Sequence, residues 1–581
     1  PSEGGGSSIA GSSTGRDPNR ARNLTRRQGM VGRRFPGGAP YHPGAMPDPV
    51  VTAFCRDRSL ERLATERFDL LVVGGGATGA GIALDAASRG LAVALVDKAD
   101  LAAGTSSKSS KLVHGGLRYL QQGEFGLVYE ALAERQRLLR NAPQLVVPLS
   151  FVVPILRSGG VIDRRLARAL GLGLWQYDLS GGARLGWHRR LDVDGVLARL
   201  PQLRRDEIAS GYLYWDAWVD DARLALALAR TAALEHGAVV ATYARLAGVG
   251  REGGPGGRVT DAVLEVDGRT IEVACDGVVN ACGVWAEEVQ GLTGVADTFD
   301  IRPAKGVHLT VPAERLSPDG ALLIPVKGDK RSIFVLPWPG GRTYIGTTDT
   351  DFVGDLDEPF CTADDVAYLL AAVNALTDAD LVPGDVTGSW AGLRPLVATA
   401  ETERTADLSR RHIVQSDGLG VVTVTGGKLT TYRRMAQDTV DVVCELRGER
   451  RRCRTKKLPL RGAGGAGSGG SHLDGRFGGE ASVVLDLVEA DPSLGEPLVP
   501  GLSYLRAEAV YAVCHEMATT LDDVLSRRTR ARIEDRAATL DAAPEVAALV
   551  AEAAGWSDER QDTELAAFQA SVEAEMAAES R

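Results

Sequence analysis

The sequence predicts an α/β fold that combines a parallel β-α-β unit, an antiparallel sheet and a C-terminal all-α region. Three patterns lead to this class: a β-α-β unit over 69–97, short strands broken by Pro and Gly over 301–350, and apolar residues four apart over 503–532. They are typical of parallel strands around a helix, of antiparallel strands and of amphipathic helices, respectively. At 581 residues the chain is long enough for two or three folded units with large cores.

The first unit opens with a short apolar run, Leu70–Val73, that is typical of a buried parallel strand. Gly74, Gly76 and Gly79 follow at once in the spacing G-x-G-x-x-G. Gly74 permits the tight turn out of the strand, Gly76 lets the backbone approach a pyrophosphate, and Gly79 lets helix and strand pack closely. The spacing alone is a weak signal, because a glycine-rich turn can also bind nothing.

The residues that follow strengthen this prediction. A helical pattern covers 81–87, Gly90 ends it, and a second strand over 91–96 leads to Asp97. The helix N-terminus would hold phosphates through its unpaired N–H groups and its positive dipole end, and Asp97 is placed to accept hydrogen bonds from an adenosine ribose. Together these features predict a Rossmann-like dinucleotide site, without choosing between NAD and FAD.

The next stretch, TSSKSSKLVHGGLRY at 105–119, is rich in hydroxyls, glycine and cations. This composition is also that of an ordinary turn-forming loop. With GGGATGAGIALDAASRGL before it and ALAERQRLLRNAP after it, the stretch resembles the FAD-dependent glycerol-3-phosphate dehydrogenases, in the wider group of glycine-oxidase and D-amino-acid-oxidase-like flavoenzymes. The likeness runs from about Phe68 to Met435 and is weaker through the C-terminal helices.

The resemblance implies an FAD-binding Rossmann-like domain interleaved with an antiparallel-sheet substrate domain, plus a C-terminal all-α domain. Composition adds a disordered extension at the start of the chain, whose arginine excess is also typical of a transit peptide, and a Gly-rich flexible linker. The expected boundaries are 1–60 for the extension, 61–455 for the oxidoreductase, 456–480 for the linker and 481–581 for the helical domain. Within the oxidoreductase, FAD-binding parts are expected at about 66–120, 205–300 and 385–450, and substrate-domain parts at about 121–204 and 301–384.

Two further segments leave alternatives open. The segment RRLARALGLGLWQYDL at 164–179 places basic residues before an apolar stretch with Trp175 and Tyr177, so it is predicted to be either a core helix or an amphipathic helix lying on a membrane surface. The basic run 527–532 ends a predicted helix over 503–532. It is expected to be a solvated helix face rather than a nucleic-acid site.

The cofactor is expected to contact two glycine-bordered helix starts and the hydroxyl-rich loop. The second helix start, at Gly426 and Gly427, suits the pyrimidine end of a flavin. The residues expected to bind the cofactor are Gly74, Gly75, Gly76, Thr78, Gly79, Asp97, Thr105, Ser106, Ser107, Ser110, Lys111, His114, Gly115, Gly116, Gly283, Trp285, Gly426, Gly427, Lys428, Leu429 and Thr430.

For a phosphorylated alcohol as substrate, Arg118 and Arg394 are the candidates to hold the phosphate, since the arginine fork matches phosphate geometry and stays charged. Tyr119 is a candidate hydrogen-bond donor to the same group. His308 is the candidate base. Lys428 is expected to orient the oxygen on carbon 2 or to help hold the phosphate. A surface ion pair is the alternative for each arginine, and a structural histidine the alternative for His308.

The resemblance implies oxidation of sn-glycerol 3-phosphate to dihydroxyacetone phosphate, with hydride passing from carbon 2 to flavin N5 and electrons passing on to a membrane quinone. One alternative is a glycerol-3-phosphate oxidase that uses O₂, or a related flavin oxidase of a small hydroxy or amino acid. Another is a flavin- or nucleotide-binding protein that senses or assembles rather than catalyses.

Composition sets outer limits on these hypotheses. The net charge of −10 argues against a general nucleic-acid binder. No apolar run reaches the roughly 18 residues of a membrane span, so membrane insertion is not expected, whereas peripheral contact with the inner face of the cell membrane is left open. Cysteines in neither a disulfide nor a metal pattern favour the reducing cytoplasm as the location. The seven cysteines are scattered and the eight histidines show no metal-ligand spacing, so no metal site is expected. A homodimer is a further expectation.

Overall fold

The computed structural model describes residues 54–116, 124–158, 164–179, 185–254, 256–294, 300–326, 331–397, 412–465 and 471–581, all within one compact unit over 41–581. Its strands are β1 (Leu70–Val73), β2 (Val93–Val96), β3 (Leu112–Val113), β4 (Val146–Leu156), β5 (Arg189–Leu191), β6 (Ile208–Val219), β7 (Val239–Ala241), β8 (Arg245–Arg251), β9 (Val259–Val266), β10 (Arg269–Ala274), β11 (Val278–Asn280), β12 (Ile301–Pro312), β13 (Ala321–Pro325), β14 (Ser332–Trp338), β15 (Arg342–Gly346), β16 (Thr350–Asp351), β17 (Gly388–Val397), β18 (His412–Ser416) and β19 (Val421–Gly426).

The α-helices of the same residues are α1 (Arg56–Thr65), α2 (Ala77–Ser88), α3 (Phe125–Asn141), α4 (Arg164–Leu179), α5 (Val193–Leu197), α6 (Asp221–His236), α7 (Ala286–Thr293), α8 (Ala363–Asn374), α9 (Tyr432–Leu446), α10 (His472–Phe477), α11 (Ala481–Ala490), α12 (Arg506–Glu516), α13 (Ala531–Glu534), α14 (Arg536–Ala554) and α15 (Asp558–Glu579). No helix in these described stretches is long and apolar enough to cross a bilayer.

A six-stranded sheet forms the nucleotide-binding half, in the order β18-β19-β11-β1-β2-β7. β1 pairs in parallel with β2 and β11, and β11 pairs in parallel with β19. All four residues of β1 and of β2 are buried, as strands covered on both faces require. α2 packs against both α6 and α9 on one face of this sheet. The predicted β-α-β unit and its Rossmann-like sheet are therefore confirmed.

The second large sheet has ten strands and carries the other half of the cavity described below. Its order is β16-β12-β15-β14-β13-β4-β6-β3, with β17 paired to β12 and β5 paired to β6. Its pairs are antiparallel except for β13 with β4. β6 and β17 lie in segments expected to belong to the FAD-binding domain. Both pair instead into this sheet, because β6 runs along the whole length of β4 and β17 along β12.

Two small layers complete the oxidoreductase part. β8, β9 and β10 form a three-stranded antiparallel sheet that packs on the opposite face of the parallel sheet from α2. α1 buries Leu60 and Leu63 in the same layer. Its first turn lies inside the segment 1–60 that composition predicts to be disordered, and burial of these two leucines accounts for the difference.

The C-terminal helices have a hydrophobic core of their own. In the described part of the predicted linker 456–480, α10 buries Phe477 to 3% exposure, so that stretch is folded rather than flexible. The predicted helix over 503–532 is also wrong in detail. α12 ends at Met517, whose φ is +57°, and a π-helical turn over Asp523–Arg528 precedes α13. The basic run is not a solvated face, since Arg528 and Arg530 are 3% and 1% exposed.

Candidate active site

The turn after β1 is fixed by a close approach of backbone segments. Gly74 has a φ of +108°, and a Cβ there would lie 2.6 Å from the carbonyl oxygen of Ala281, at the end of β11. A Cβ on Gly79 would overlap the carbonyl oxygen of Gly74. Both positions therefore require glycine, and α2 begins after Gly76, which has no side chain to cap the helix start.

Two side chains shape this glycine turn. The carboxylate of Asp97 accepts hydrogen bonds from the N–H groups of Gly75 at 2.6 Å and Ala99 at 2.9 Å. Burial raises the pKa of Asp97 to about 6. Ser106 Oγ accepts from the N–H of Ala77, the first residue of α2, at 2.9 Å. The structure thus places Asp97 and Ser106 at the turn and shows the backbone groups that they contact, while their binding of the cofactor stays a prediction.

The second glycine pair lies close to the first helix start. Gly426 and Gly427 have φ values of +76° and +78° at the end of β19. A Cβ on Gly427 would overlap the sulfur of Met435, and the same sulfur lies 4.0 Å from Thr78 Oγ1 on α2. One α9 side chain therefore touches both glycine-bordered turns.

The second turn is tied to the hydroxyl-rich loop. Thr430 Oγ1 accepts from the N–H of His114 at 3.1 Å and donates to its carbonyl oxygen at 3.3 Å.

A cavity of about 160 Å³ lies where these parts meet the large sheet. Its walls come from the loop after β2, from the paired strands β12 and β17, and from the turn after β19. The lining residues are Thr105, Lys108, Ser109, Ser110, Leu112, His114, Gly306, His308, Gly392, Arg394, Pro395, Leu396, Gly426, Gly427, Lys428, Leu429 and Thr430. Three predicted catalytic residues, His308, Arg394 and Lys428, thus share one cavity.

Arg394 is held in a fixed orientation on β17. Its Nη1 donates to Asp349 Oδ1 at 3.2 Å and its Nη2 to Thr347 Oγ1 at 3.2 Å. The guanidinium covers Gly306, where any Cβ would overlap it. The side chain remains 22% exposed. A guanidinium that is oriented by such contacts and keeps part of its surface exposed can bind an anion.

His308 lies on β12 with its ring stacked on Trp390, at 4.8 Å between centroids and 4° between planes. Its Nε2 lies 2.9 Å from Ser110 Oγ, and among the described residues its Nδ1 has no hydrogen-bond partner. Burial, reinforced by the charges of Arg394 and Lys111, lowers the pKa of His308 well below its usual value of 6.5. The imidazole is therefore neutral at pH 7 and can accept a proton.

Lys108 and Ser109 line the cavity but were not among the predicted residues. Burial, with the charges of Arg527 and Arg532, lowers the pKa of Lys108. The signal was present in the sequence, because both residues lie within the run TSSKSSK. Its alternation of hydroxyls and cations does not reveal which side chains face inward.

Other predicted cofactor residues lie elsewhere. Lys111 does not face the cavity, because its fully buried ammonium donates to Asp221 Oδ1 and to the carbonyl oxygen of Ser107, both at 3.0 Å. The N–H of Gly115 is committed to Tyr177 at 3.1 Å. Trp285 packs on Gly104, where a Cβ would lie 2.8 Å from its ring.

The remaining predicted residues add less. Gly116 and Gly283 both have positive φ, +79° and +59°, as turns at those points require. Arg118 and Tyr119, the other predicted phosphate contacts, lie outside the described residues.

The chain matches known proteins over most of its length. Residues 69–433 match the family described as FAD dependent oxidoreductase, and residues 453–561 match the C-terminal domain of alpha-glycerophosphate oxidase. Glycerol-3-phosphate dehydrogenase 2 of Mycobacterium bovis is 43% identical over 542 residues, which cover 89% of this chain and 90% of that protein. Glycerol-3-phosphate dehydrogenase of Mycobacterium leprae is 42% identical over 543 residues, or 90% and 91% of the two chains.

A solved structure is similar over the same length. The glycerol-3-phosphate dehydrogenase from Bacillus halodurans, complexed with FAD, superimposes with a TM-score of 0.72 at 29% identity. The match covers 90% of this chain and 97% of that one.

The glycine turn predicts a sharp effect of one methyl group. Gly74→Ala should weaken FAD binding about 10-fold or more, because a non-glycine residue at this φ is strained and its Cβ crowds Ala281. Titration of the apoprotein with FAD, followed by flavin fluorescence, measures the effect. Gly291→Ala, in the exposed part of α7 with nothing within 4 Å, is the control and should bind as wild type. Equal affinity of both variants would contradict the role of this turn.

Proposed function

Since this chain belongs to the FAD-dependent oxidoreductase family that includes the glycerol-3-phosphate dehydrogenases, we propose that it oxidises sn-glycerol 3-phosphate to dihydroxyacetone phosphate, with FAD as its cofactor. The observation that carries this proposal is the meeting of an accessible guanidinium, Arg394, and a neutral buried imidazole, His308, in one cavity beside the second glycine turn. The guanidinium would bind the phosphate of the substrate, and the imidazole would accept the proton of its hydroxyl on carbon 2.

The residues present fit FAD. The N-terminus of α2 beside Gly76 would hold the pyrophosphate, and Asp97 would hold the adenosine ribose. The turn at 426–430, where glycines keep the backbone bare, would face the flavin ring. When bound, FAD supplies the acceptor for the hydride that leaves carbon 2.

Arg394 is the proposed anchor of the substrate phosphate. Its fork geometry allows two parallel hydrogen bonds to phosphate oxygens, and Asp349 and Thr347 hold the fork in place. Lys108 and Lys428 line the same cavity and add positive charge there. Arg118 and Tyr119 stay predicted contacts of the phosphate.

His308 is the proposed acceptor of the hydroxyl proton. A buried ring nitrogen without a partner costs free energy, and the substrate hydroxyl would supply that partner at Nδ1. Ser110 at Nε2 and the stacked Trp390 restrict the rotation of the ring. Lys428 is proposed to stabilise negative charge on the oxygen as its proton leaves.

A membrane quinone is the proposed electron acceptor, reached by contact with the bilayer surface. Trp175, Leu179 and Trp187 are 52%, 75% and 53% exposed, and the two indole rings lie 5.5 Å apart. We call these three residues the Trp175 patch. α4 agrees with both interpretations of the segment 164–179. Leu174 and Tyr177 are fully buried, as in a core helix, whereas Trp175 and Leu179 are exposed, as in a helix that lies on a membrane surface. Exposed aromatic and aliphatic groups beside each other suit a lipid interface.

The proposal predicts that anaerobic glycerol 3-phosphate bleaches the visible flavin band of the purified holoprotein, and that glycerol does not. The phosphate supplies the binding energy that glycerol lacks. A flavin that glycerol 3-phosphate leaves oxidised would contradict the proposal. The reduced protein can then be reoxidised with air or with a quinone analogue. If it forms stoichiometric hydrogen peroxide in air faster than it reduces the quinone analogue, the oxidase alternative is favoured instead.

Replacement of the phosphate anchor should be costly in the same assay. Arg394→Ala is expected to lower the second-order rate constant of flavin reduction about 10- to 100-fold, mainly through weaker substrate binding, because it removes charge-assisted hydrogen bonds. Arg302→Ala provides the matched control, since Arg302 lies on the adjoining strand β12 and is exposed. Similar constants for the two variants would exclude Arg394 as the anchor.

The lowered pKa of His308 predicts an unusual pH profile. The neutral imidazole persists as pH falls through 6.5, so the rate of flavin reduction should stay level there and decline only at more acidic pH. His308→Gln should reduce that rate about 10²- to 10⁴-fold. His236→Gln, at the end of α6, should behave as wild type. A wild-type rate that halves near pH 6.5 would argue against this assignment.

The Trp175 patch predicts membrane association that one substitution removes. Trp175→Asp should reduce the fraction of protein that floats with liposomes, because a carboxylate replaces apolar area at the interface. Val353→Asp is the control, since Val353 is 99% exposed away from the patch. Undiminished flotation of Trp175→Asp would place the contact elsewhere.

A further inference from the structure

The basic segment Arg527–Arg530 of the C-terminal region is buried against the oxidoreductase part of the chain. Arg528 and Arg530 retain only 3% and 1% of their exposure. Guanidinium groups are buried only where carboxylates and carbonyl oxygens satisfy them, so such placements are specific. The acids outside the C-terminal region that bind this segment are Asp100, in the loop that follows β2, and Asp220 and Asp221, at the start of α6.

One end of the segment binds the start of that loop. Arg527 Nε and Arg528 Nη1 each donate to Asp100 Oδ2 at 2.7 Å. Asp100 is fully buried and comes three residues after Asp97, which shapes the glycine turn. The first residues of the loop are thereby fixed by the C-terminal region.

The other end reaches the later part of the loop through two acids. Arg530 donates to Asp220 Oδ1 at 2.7 Å and also contacts Asp221 Oδ1. Asp221 Oδ2 in turn accepts from the backbone N–H of Ser109 at 3.0 Å and from its hydroxyl at 2.7 Å. Lys111 completes the network, since its ammonium joins Asp221 to the carbonyl oxygen of Ser107.

This part of the loop contacts the proposed base. Ser110 Oγ lies 2.9 Å from His308 Nε2. The carbonyl oxygen of Ser109 accepts from Trp390 Nε1 at 3.1 Å, and the same indole is stacked on the His308 ring. A shift of the loop would therefore move both neighbours that orient the imidazole.

We propose that Arg530 is a positioning residue for the loop 107–111. It acts through Asp221 and Lys111. The C-terminal helical region thereby determines the positions of Ser109, Ser110 and His308. The catalytic consequence rests on the proposed function; the effect on the loop does not.

Attachment of the two regions alone does not require Arg530. Buried pairs at the same junction, Arg230 with Glu480 at 2.8 Å and Arg223 with Glu516 at 2.7 Å, join α6 to the helical region. Neither pair contacts the loop 107–111. Arg230 is 4% exposed and hence a control of matched burial for Arg530.

The test compares Arg530→Gln and Arg230→Gln in the FAD-loaded full chain. Hydrogen–deuterium exchange of peptides over 100–111 should be roughly tenfold faster in Arg530→Gln than in wild type, and unchanged in Arg230→Gln. With glycerol 3-phosphate, kcat of Arg530→Gln should fall up to about 10²-fold with a smaller change in KM, because the loop contacts His308 directly, whereas the proposed phosphate anchor Arg394 lies on β17 outside the loop. Arg530→Lys should recover part of both effects.

Equal exchange of 100–111 in the two glutamine variants would overturn the proposal, as would faster exchange with unaltered kcat. If Arg530→Gln does not fold, Ser109→Ala decides, since it removes the hydroxyl that donates to Asp221 and accepts from the N–H of Lys111. Faster exchange and lower kcat in Ser109→Ala support the proposal, and wild-type values contradict it. A wild type that glycerol 3-phosphate does not reduce would refute the proposed function, while the exchange data would still report on the loop.

Discussion

One backbone contact constrains the rest of this molecule. The turn at Gly74 lies against Ala281 on one side and against Gly79 on the other, with no room for a side chain at either glycine. This contact brings β1, β11 and the N-terminus of α2 together. The proposed dinucleotide site follows from it, because the N-terminus of a helix is an anion site built from backbone N–H groups. The loop after β2 then has to close over the turn, which it does through Asp97 and Ser106.

The side chains proposed to bind and oxidise the substrate lie mainly on the ten-stranded sheet. β12 and β17 pair over their length and present His308, Arg394 and the bare Gly306 on one surface. Because this surface faces the loop and the turn after β19, a neutral base and several cationic groups meet in a small cavity. The two effects are linked, since the burial and the nearby positive charge that suit a phosphate dianion also depress the pKa of His308. The loop after β2 forms the remaining wall of the cavity, and buried ion pairs with the C-terminal region hold this loop in position.

Local patterns predicted the parts of the structure that local forces determine. The strand, glycine turn, helix and acid of the first unit occur within 69–97, so periodicity and spacing were sufficient. The turn at 426–430 and Arg394 were also identified from short motifs. By contrast, the burial of Arg530 depends on acids such as Asp220, which is 310 residues away in sequence, and a basic run by itself is typical of a solvated surface. Lys111 was misplaced for the same reason, since its partner Asp221 is distant in the chain.

Strand membership was harder to predict than strand existence. β6 and β17 were assigned by their neighbours in sequence to the nucleotide-binding half, but hydrogen-bond register places them in the large sheet.

We propose that one cavity, bounded by the loop after β2, by the turn at 426–430 and by β12 and β17, holds both the cofactor ring and the phosphorylated substrate. The crystal structure of the protein with FAD and glycerol 3-phosphate tests it most directly. We expect the pyrophosphate at the N-terminus of α2 beside Gly76, and the substrate phosphate within hydrogen-bond distance of Arg394. A phosphate bound outside this cavity, without contact to Arg394, would contradict the proposal.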